Sequence, residues 1–134
     1  MTLVIDTSVV VKWIVPEANS DLAQLYLDAG PLTAPDLLRA ELVHTLTKKV
    51  RRREITSEQA IIGHTLCETA LLFLPSMDLS RRALELSLGL RHPAYDCFFL
   101  ALTESINGTL ITADERLALR CASTPFASLI KLLA

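Results

Sequence analysis

The segment LVIDTSVVVKWI, residues 3–14, joins a short apolar stretch to a helix-like one, with an aspartate between them. Leu3–Ile5 is apolar and contains two β-branched residues, Val4 and Ile5, which predicts a buried strand. Asp6 ends that strand, and either Asp6 or Thr7 can cap a helix over Thr7–Ile14. This part of the chain therefore predicts a strand that delivers a carboxylate directly to the start of a helix.

The segment TLITADERLALR, residues 109–120, has the same design. Thr109–Thr112 is a predicted strand, Asp114 follows it closely, and a helix comes next. In open parallel sheets, binding sites form beyond the carboxyl ends of the strands. Two strands that both end at an aspartate are the first indication of a functional site.

The rest of the chain alternates between predicted helices and short predicted strands, which favours the α/β class with a central parallel sheet flanked by helices. The 134 residues suit one domain, spanning 1–134. The other predicted helices are Asn19–Asp28, Pro35–Arg52, Thr56–Leu72, Asp78–Leu90 and Pro93–Ile106, and the other predicted strands are Leu32–Ala34, Phe73–Pro75 and Phe126–Ile130.

The composition favours a globular protein, because 51% of the residues are hydrophobic and 21% are charged. A mean hydropathy of +0.38 is high for this size and predicts an apolar surface that packs against another chain. No signal peptide and no membrane-spanning stretch is apparent, and three cysteines without CxxC spacing indicate reduced thiols. We therefore expect a cytoplasmic protein with no membrane association.

The net charge of −2 provides no general attraction for a polyanion, which would have to be held by local positive charge or by metal ions. One dense basic run follows Glu41: Lys48, Lys49, Arg51, Arg52 and Arg53. It is either a solvated helix end or a surface for RNA phosphates or an acidic partner. Lys48, two helical turns after Glu41, and Lys12, one turn after Ser8, are the candidate phosphate contacts.

Four carboxylates stand in apolar surroundings: Asp6, Glu41, Asp96 and Asp114. Taken singly, the aspartates can be helix caps or first-turn residues, and Glu41 can be a surface residue. Buried carboxylates need a compensating cation, however, and a divalent ion suits oxygen ligands.

Other catalytic motifs are missing from the sequence. His44, His64 and His92 show no metal-ligand spacing with each other or with a cysteine, so zinc is disfavoured, and His92 before Pro93 is interpreted as a turn residue. No GxxxxGK[ST] or GxGxxG phosphate loop and no GxSxG serine elbow occurs.

Four segments, in this order and spacing, closely resemble PIN-domain nucleases, in particular the VapC-type toxins of type II toxin–antitoxin pairs. They are VIDTSVVVKW (4–13), PDLLRAELVHTL (35–46), HPAYDCFFLALTE (92–104) and TLITADERLALR (109–120). The resemblance covers essentially the whole chain and implies a three-layer PIN-like sandwich.

By position, the resemblance assigns Asp6, Glu41, Asp96 and Asp114 to a catalytic site that binds Mg²⁺ or Mn²⁺. Glu41 either ligates the metal or orients the attacking water. Ser8 and Thr112 match hydroxyl positions that order the site through hydrogen bonds. Arg116 stands where many relatives carry a further acid, which favours one protein-held ion over two.

The implied function is a metal-dependent endoribonuclease that acts as a toxin, with RNA as substrate, a cognate antitoxin as partner and a homodimer as its assembly. A catalytically silent PIN-fold module that binds RNA or protein is the alternative. A receiver domain needs paired N-terminal acids, and a DxD phosphatase needs an aspartate where Ser8 stands.

Overall fold

The computed structural model describes residues 2–134, and these residues form one five-stranded sheet in which all neighbouring strands are parallel. The strand order is β3-β2-β1-β4-β5. The predicted α/β class with a central parallel sheet is confirmed. The strands are β1 (Leu3–Ile5), β2 (Leu32–Pro35), β3 (Leu71–Leu74), β4 (Thr109–Thr112) and β5 (Ile130–Leu132).

Helices cover both faces of the sheet. Because right-handed crossovers lead from β1 through β2 to β3 in one direction and from β4 to β5 in the other, α1–α4 and α5–α7 lie on opposite faces. The contacts between the helices agree with this placement, because α1 packs on α2, α3 and α4, whereas α6 packs on α5 and on the sheet. The helices are α1 (Thr7–Ile14), α2 (Ser20–Ala29), α3 (Leu37–Arg51), α4 (Ser57–Ala70), α5 (Ser80–Leu90), α6 (Ala94–Ser105) and α7 (Glu115–Cys121).

The chain reverses its direction across the sheet between β1 and β4, which creates a crevice beyond their carboxyl ends. The two strands are in register, with Ile5 opposite Ile111. The backbone N–H of Asp6 continues this pairing by donating to the Ile111 carbonyl at 2.9 Å. The fold therefore places the end of β1 directly beside the end of β4.

Several predicted boundaries were wrong, among them the junction between α4 and β3. The helix predicted to reach Leu72 ends at Ala70, and β3 begins at Leu71 instead of Phe73, because Leu71–Leu74 pairs along its length with Leu32–Pro35. Sheet pairing here overrides the helical preference of leucine.

The last strand is also displaced from its predicted position at Phe126–Ile130. Pro125 opens a 3₁₀ turn over Pro125–Leu129, in which the Thr124 hydroxyl accepts a hydrogen bond from the Phe126 N–H at 3.1 Å. The strand β5 therefore starts only at Ile130, opposite Leu110.

The core lies between the sheet and the helices, and β1, β4 and α6 are among the elements that contribute fully buried side chains. Ile5, Leu110, Ile111 and Phe99 are among the largest fully buried ones. No helix of residues 2–134 is long and apolar enough to span a bilayer. The buried α6 is functionally important because it carries Asp96 in its first turn.

Gly63 allows α4 to pack closely on α1. A Cβ atom at this position would lie 2.6 Å from two carbons of the Ile14 side chain, whereas a Cβ at Gly89 on α5 would meet nothing within 4 Å. Ile14 is β-branched and has little rotamer freedom in a helix, so it cannot easily move aside.

We expect Gly63→Ala to destabilise the protein by about 1 kcal/mol net, because overpacking costs ~1–3 kcal/mol and alanine's helix propensity offsets part of it. Gly89→Ala is the matched control, and we expect it to be neutral or stabilising. Urea unfolding measures both variants. A Gly63→Ala protein as stable as Gly89→Ala would contradict this account of the α1–α4 contact.

Candidate metal site

Asp6 joins the ends of β1 and β4 through its side chain. The residue is only 3% exposed. Its Oδ2 atom accepts hydrogen bonds from the Ser8 hydroxyl at 2.6 Å and from the Thr112 hydroxyl at 2.7 Å. Asp6 occupies the N-cap position of α1, one of the two predicted alternatives, but its carboxylate makes no capping hydrogen bond and points to the hydroxyls instead.

The two hydroxyls are themselves oriented by the backbone that follows β4. The Ala113 N–H donates to Ser8 Oγ and the Asp114 N–H donates to Thr112 Oγ1, each at 3.0 Å. Because each hydroxyl oxygen accepts one of these bonds, its own hydrogen is left to point at Asp6. The carboxylate is thereby held in one orientation.

Asp114 is the N-cap residue of α7, and one of its carboxylate oxygens makes the capping hydrogen bonds. Its Oδ1 atom accepts hydrogen bonds from the backbone N–H groups of Arg116 at 2.9 Å and of Leu117 at 3.2 Å. The capping role that was considered for Asp114 is therefore present. Capping orients the carboxylate without removing it from the crevice, because Asp114 also lines the cavity described next.

All four candidate carboxylates line one cavity of about 410 Å³ at the carboxyl edge of the sheet: Asp6, Glu41, Asp96 and Asp114. Glu41 reaches it from α3, where its Oε1 atom accepts a hydrogen bond from the Thr7 hydroxyl at 3.1 Å. Asp96 reaches it from the first turn of α6. Residues that are distant in sequence thus converge on one polar cavity.

Burial and mutual repulsion disfavour the charged forms of these groups. Burial raises the pKa of Asp6 despite its two hydroxyl donors, and the neighbouring Asp114 raises it further. Burial and then repulsion from Asp6 raise the pKa of Glu41 to about 7. The same two causes raise the pKa of Asp96 to about 6.

The nearby lysines are occupied elsewhere. Lys12 lines the cavity, but its Nζ atom contacts Glu17 Oε1 at 3.2 Å and the Ala18 carbonyl at 2.8 Å. Lys49 contacts Glu54 at 3.2 Å and Glu17 at 3.8 Å. Within residues 2–134, no lysine or arginine forms an ion pair with any of the four carboxylates. This oxygen-rich donor set suits a divalent cation such as Mg²⁺ or Mn²⁺.

His92 belongs to the site, although the sequence reasoning interpreted it as a turn residue. The side chain is buried, and its Nε2 atom lies 2.5 Å from Asp96 Oδ2. One potential ligand atom each of His92, Asp96 and Asp114 lie within 4.8 Å of one another. The four-residue spacing between His92 and Asp96 was the available signal, but Pro93 between them favoured a turn.

On α3, three residues spaced by four line the cavity: Glu41, Thr45 and Lys49. Lys48, the predicted phosphate contact, is exposed and outside the residues that line the cavity. The cavity follows the ridge of residues spaced by four, which crosses the helix obliquely. The prediction from a two-turn spacing of seven residues therefore named Lys48, whereas the lysine that lines the cavity is its neighbour, Lys49.

Comparison with known proteins gives matches over most of the chain. The family model described as PIN domain matches residues 3–121. Ribonuclease VapC3 of Pyrobaculum aerophilum is 31% identical over 125 residues, which cover 88% of this chain and 93% of that protein. A solved toxin–antitoxin complex from Klebsiella pneumoniae contains a chain with a TM-score of 0.67, 13% identity and coverage of 99% of this chain and 98% of that chain. The last likeness supports the fold alone.

We expect the metal-free protein to be more stable near about pH 5 than near about pH 7.5. The pKa of Glu41 is raised to about 7 and that of Asp96 to about 6, so the folded state binds protons that the unfolded state releases. This stabilisation is present at low pH and is lost as the pH rises through the folded-state values. Thermal unfolding in EDTA across this range measures it.

Asp6→Asn tests the electrostatic cause. The carbonyl oxygen of the introduced asparagine side chain can still accept from Ser8 and Thr112, whereas the charge that repels Glu41 and Asp96 is gone. We expect a melting temperature about 4 °C higher at neutral pH and a weaker pH dependence. Asp78→Asn, at an exposed position far from the cavity in sequence, is the control. A wild-type protein that gains stability with rising pH in EDTA would refute the assignment.

Proposed function

The chain belongs to the PIN-domain family, and we propose that it is a divalent-metal-dependent endoribonuclease, the toxin of a type II toxin–antitoxin pair. The observation that carries this proposal is the convergence of four carboxylates on one cavity in which no lysine or arginine of the described residues forms an ion pair with them. The similarity to a ribonuclease over most of both chains supports the reaction class.

We assign Asp6, Asp96 and Asp114 to the metal, with Mg²⁺ or Mn²⁺ as the ion. When bound, the ion neutralises negative charge on the phosphate and makes water more acidic. Asp6 is suited to this role because its two hydroxyl donors fix it before any ligand arrives. Arg116 replaces the additional acid of many relatives, which supports one protein-held ion.

Glu41 is assigned to the attacking water. The Thr7 hydroxyl fixes Glu41 Oε1 and leaves the other carboxylate oxygen for a second contact. A carboxyl group whose pKa is about 7 in the metal-free protein is a better proton acceptor than an ordinary glutamate. Glu41 can therefore orient a water molecule and take a proton from it during hydrolysis.

His92 is assigned to the positioning of Asp96. Its Nε2–H donates to Asp96 Oδ2, and its backbone carbonyl accepts a hydrogen bond from the Ser87 hydroxyl at 2.7 Å. Metal-binding carboxylates are typically held by hydrogen-bond donors outside the metal's own ligands, and His92 can supply one for Asp96.

We expect His92→Ala to weaken Mn²⁺ binding by about 10- to 100-fold, because Asp96 loses the donor that orients it. His92→Gln supplies an N–H donor and should recover most of the affinity. Titration calorimetry with Mn²⁺ measures this in each variant. If His92→Gln bound Mn²⁺ as weakly as His92→Ala, the imidazole would be a direct ligand instead of a positioning group.

The proposed partners are RNA, a cognate antitoxin and a second copy of the chain. The apolar side chains that the structure leaves exposed support protein contacts, among them Leu84 and Leu88 on α5, which are 57% and 71% exposed. All three cysteines are buried and free, as expected for the cytoplasm, where we place the activity.

Cleavage of RNA by the purified chain tests the proposed function. We expect cleavage with Mg²⁺ or Mn²⁺, no cleavage in EDTA, and a loss of at least about 100-fold in rate for Asp6→Asn and for Asp96→Asn. Asp78→Asn provides a carboxylate change outside the cavity and should retain the wild-type rate. Gel analysis of the labelled products measures all of these.

Cleavage that survives EDTA, or that neither active-site substitution affects, would exclude the metal-nuclease mechanism. Metal binding without any RNA cleavage, together with tight RNA binding, would instead favour the catalytically silent binding module.

A further inference from the structure

A second cavity, of about 580 Å³, adjoins the carboxylate site and shares two of its walls, Asp96 and Asp114. Its other walls carry three arginines: Arg91, after the end of α5, and Arg116 and Arg120, both on α7. We refer to it as the arginine cleft. The cleft places positive charge next to the carboxylates and on the side of the site that Lys12 and Lys49 do not occupy.

The three guanidinium groups are available for an external anion. Within residues 2–134, none of them takes part in an ion pair, and all three residues are exposed. Elsewhere on the surface, Arg39 and Arg82 form paired contacts with Glu68 and Glu104. Unpaired arginines that line one concave wall are suited to phosphate groups, which the planar guanidinium binds through two hydrogen bonds.

We propose that Arg91, Arg116 and Arg120 bind backbone phosphates of single-stranded RNA on one side of the scissile bond, in the cleft that shares Asp96 and Asp114 with the metal site. This inference rests on the proposed function, since it takes RNA as the substrate. The lysines of the carboxylate cavity are held by Glu17 and Glu54, so the strand obtains its positive charge from the arginine side.

The two arginines of α7 are positioned by the metal site itself. Arg116 and Arg120 are four residues apart and lie on the same side of the helix. The backbone N–H of Arg116 donates to Asp114 Oδ1, which fixes the start of α7. Phosphate contacts from α7 therefore keep a defined relation to a metal-binding carboxylate, as accurate cleavage of a flexible strand requires.

Arg91 has a backbone conformation that is unfavourable for its residue type. It caps α5 at φ 53°, in the left-handed region where glycine is preferred. Glycine at this position would relieve the backbone, so replacing Arg91 by glycine removes the guanidinium group without adding strain. Arg53, at the end of α3, has the same conformation at φ 60° but lies in the basic run, outside the cleft.

Arg91→Gly and Arg53→Gly form a matched pair for the test. Each removes one arginine and relieves one left-handed backbone conformation, so neither should lower the melting temperature. The probe is a labelled single-stranded RNA of about ten nucleotides, and binding is followed by fluorescence anisotropy in EDTA, where no metal-dependent cleavage occurs.

We expect Arg91→Gly to weaken RNA binding about fivefold and to reduce the slope of log Kd against log salt by about 0.7, as expected for one lost phosphate contact. The double variant Arg116→Gln/Arg120→Gln should reduce the slope by about 1.4. Arg53→Gly should bind like the wild type. With metal present, Arg91→Gly should raise KM for RNA cleavage and leave kcat close to the wild-type value.

A loss of binding in Arg53→Gly that equals or exceeds the loss in Arg91→Gly would overturn the proposal in favour of the basic run of α3 or of general charge. Unchanged RNA binding in all cleft variants would also overturn the proposal. It would favour an acidic protein segment as the ligand of the cleft. A wild-type chain that cleaves no RNA would refute the proposed function. If the wild type cleaves RNA and the arginine variants bind and cleave it equally well, only the proposed role of the arginine cleft is refuted.

Discussion

The rest of the site depends on the side-by-side pairing of β1 and β4. Because the chain turns away from these strands in opposite directions, no crossover covers their carboxyl ends, and the crevice between them stays open. Asp6 lies at the end of one strand and Asp114 just beyond the other. Helices from both faces then bring in Glu41 on α3 and Asp96 on α6. The carboxylate cluster is thus a product of topology, since its four members span more than a hundred residues of sequence.

Electrostatic repulsion within that cluster opposes folding of the metal-free chain. Hydrogen bonds offset part of this cost at Asp6, which accepts from the hydroxyls of Ser8 and Thr112. Among the described residues, no buried side-chain nitrogen or oxygen is left without a partner. Glu17 adds a further constraint, because it neutralises Lys12 and Lys49 at the rim and keeps them from closing over the carboxylates. The cavity consequently retains a negative charge that attracts a cation.

Much of the fold could be predicted from sequence because local patterns and tertiary structure agree. The strands β1 and β4 have the predicted bounds, and Gly30 ends α2 as its stop signal suggested. The errors occur where tertiary pairing decides between similar local preferences. Leu71 and Leu72 suit a helix as well as a strand, and pairing with β2 makes them a strand. Phe126 stands in a 3₁₀ turn that Pro125 and Thr124 determine together.

At the site, carboxylates were detectable because charge in apolar sequence is costly and therefore conspicuous. His92 was not, because Pro93 between His92 and Asp96 favoured a turn over a contact at four-residue spacing. The arginine cleft was hidden for another reason: Arg91 and the α7 arginines are some twenty-five residues or more apart in sequence and come together only in the folded chain, beside Asp96 and Asp114.

The paired hydroxyls of Ser8 and Thr112 carry a consequence for the evolution of such a site. Each hydroxyl accepts a backbone N–H and donates to Asp6, so each position needs a short side chain that does both at once. Alanine or valine at either position would leave a backbone N–H without its partner and would remove one of the two donors to Asp6 Oδ2. These two positions therefore tolerate few residue types, although neither hydroxyl need touch the substrate.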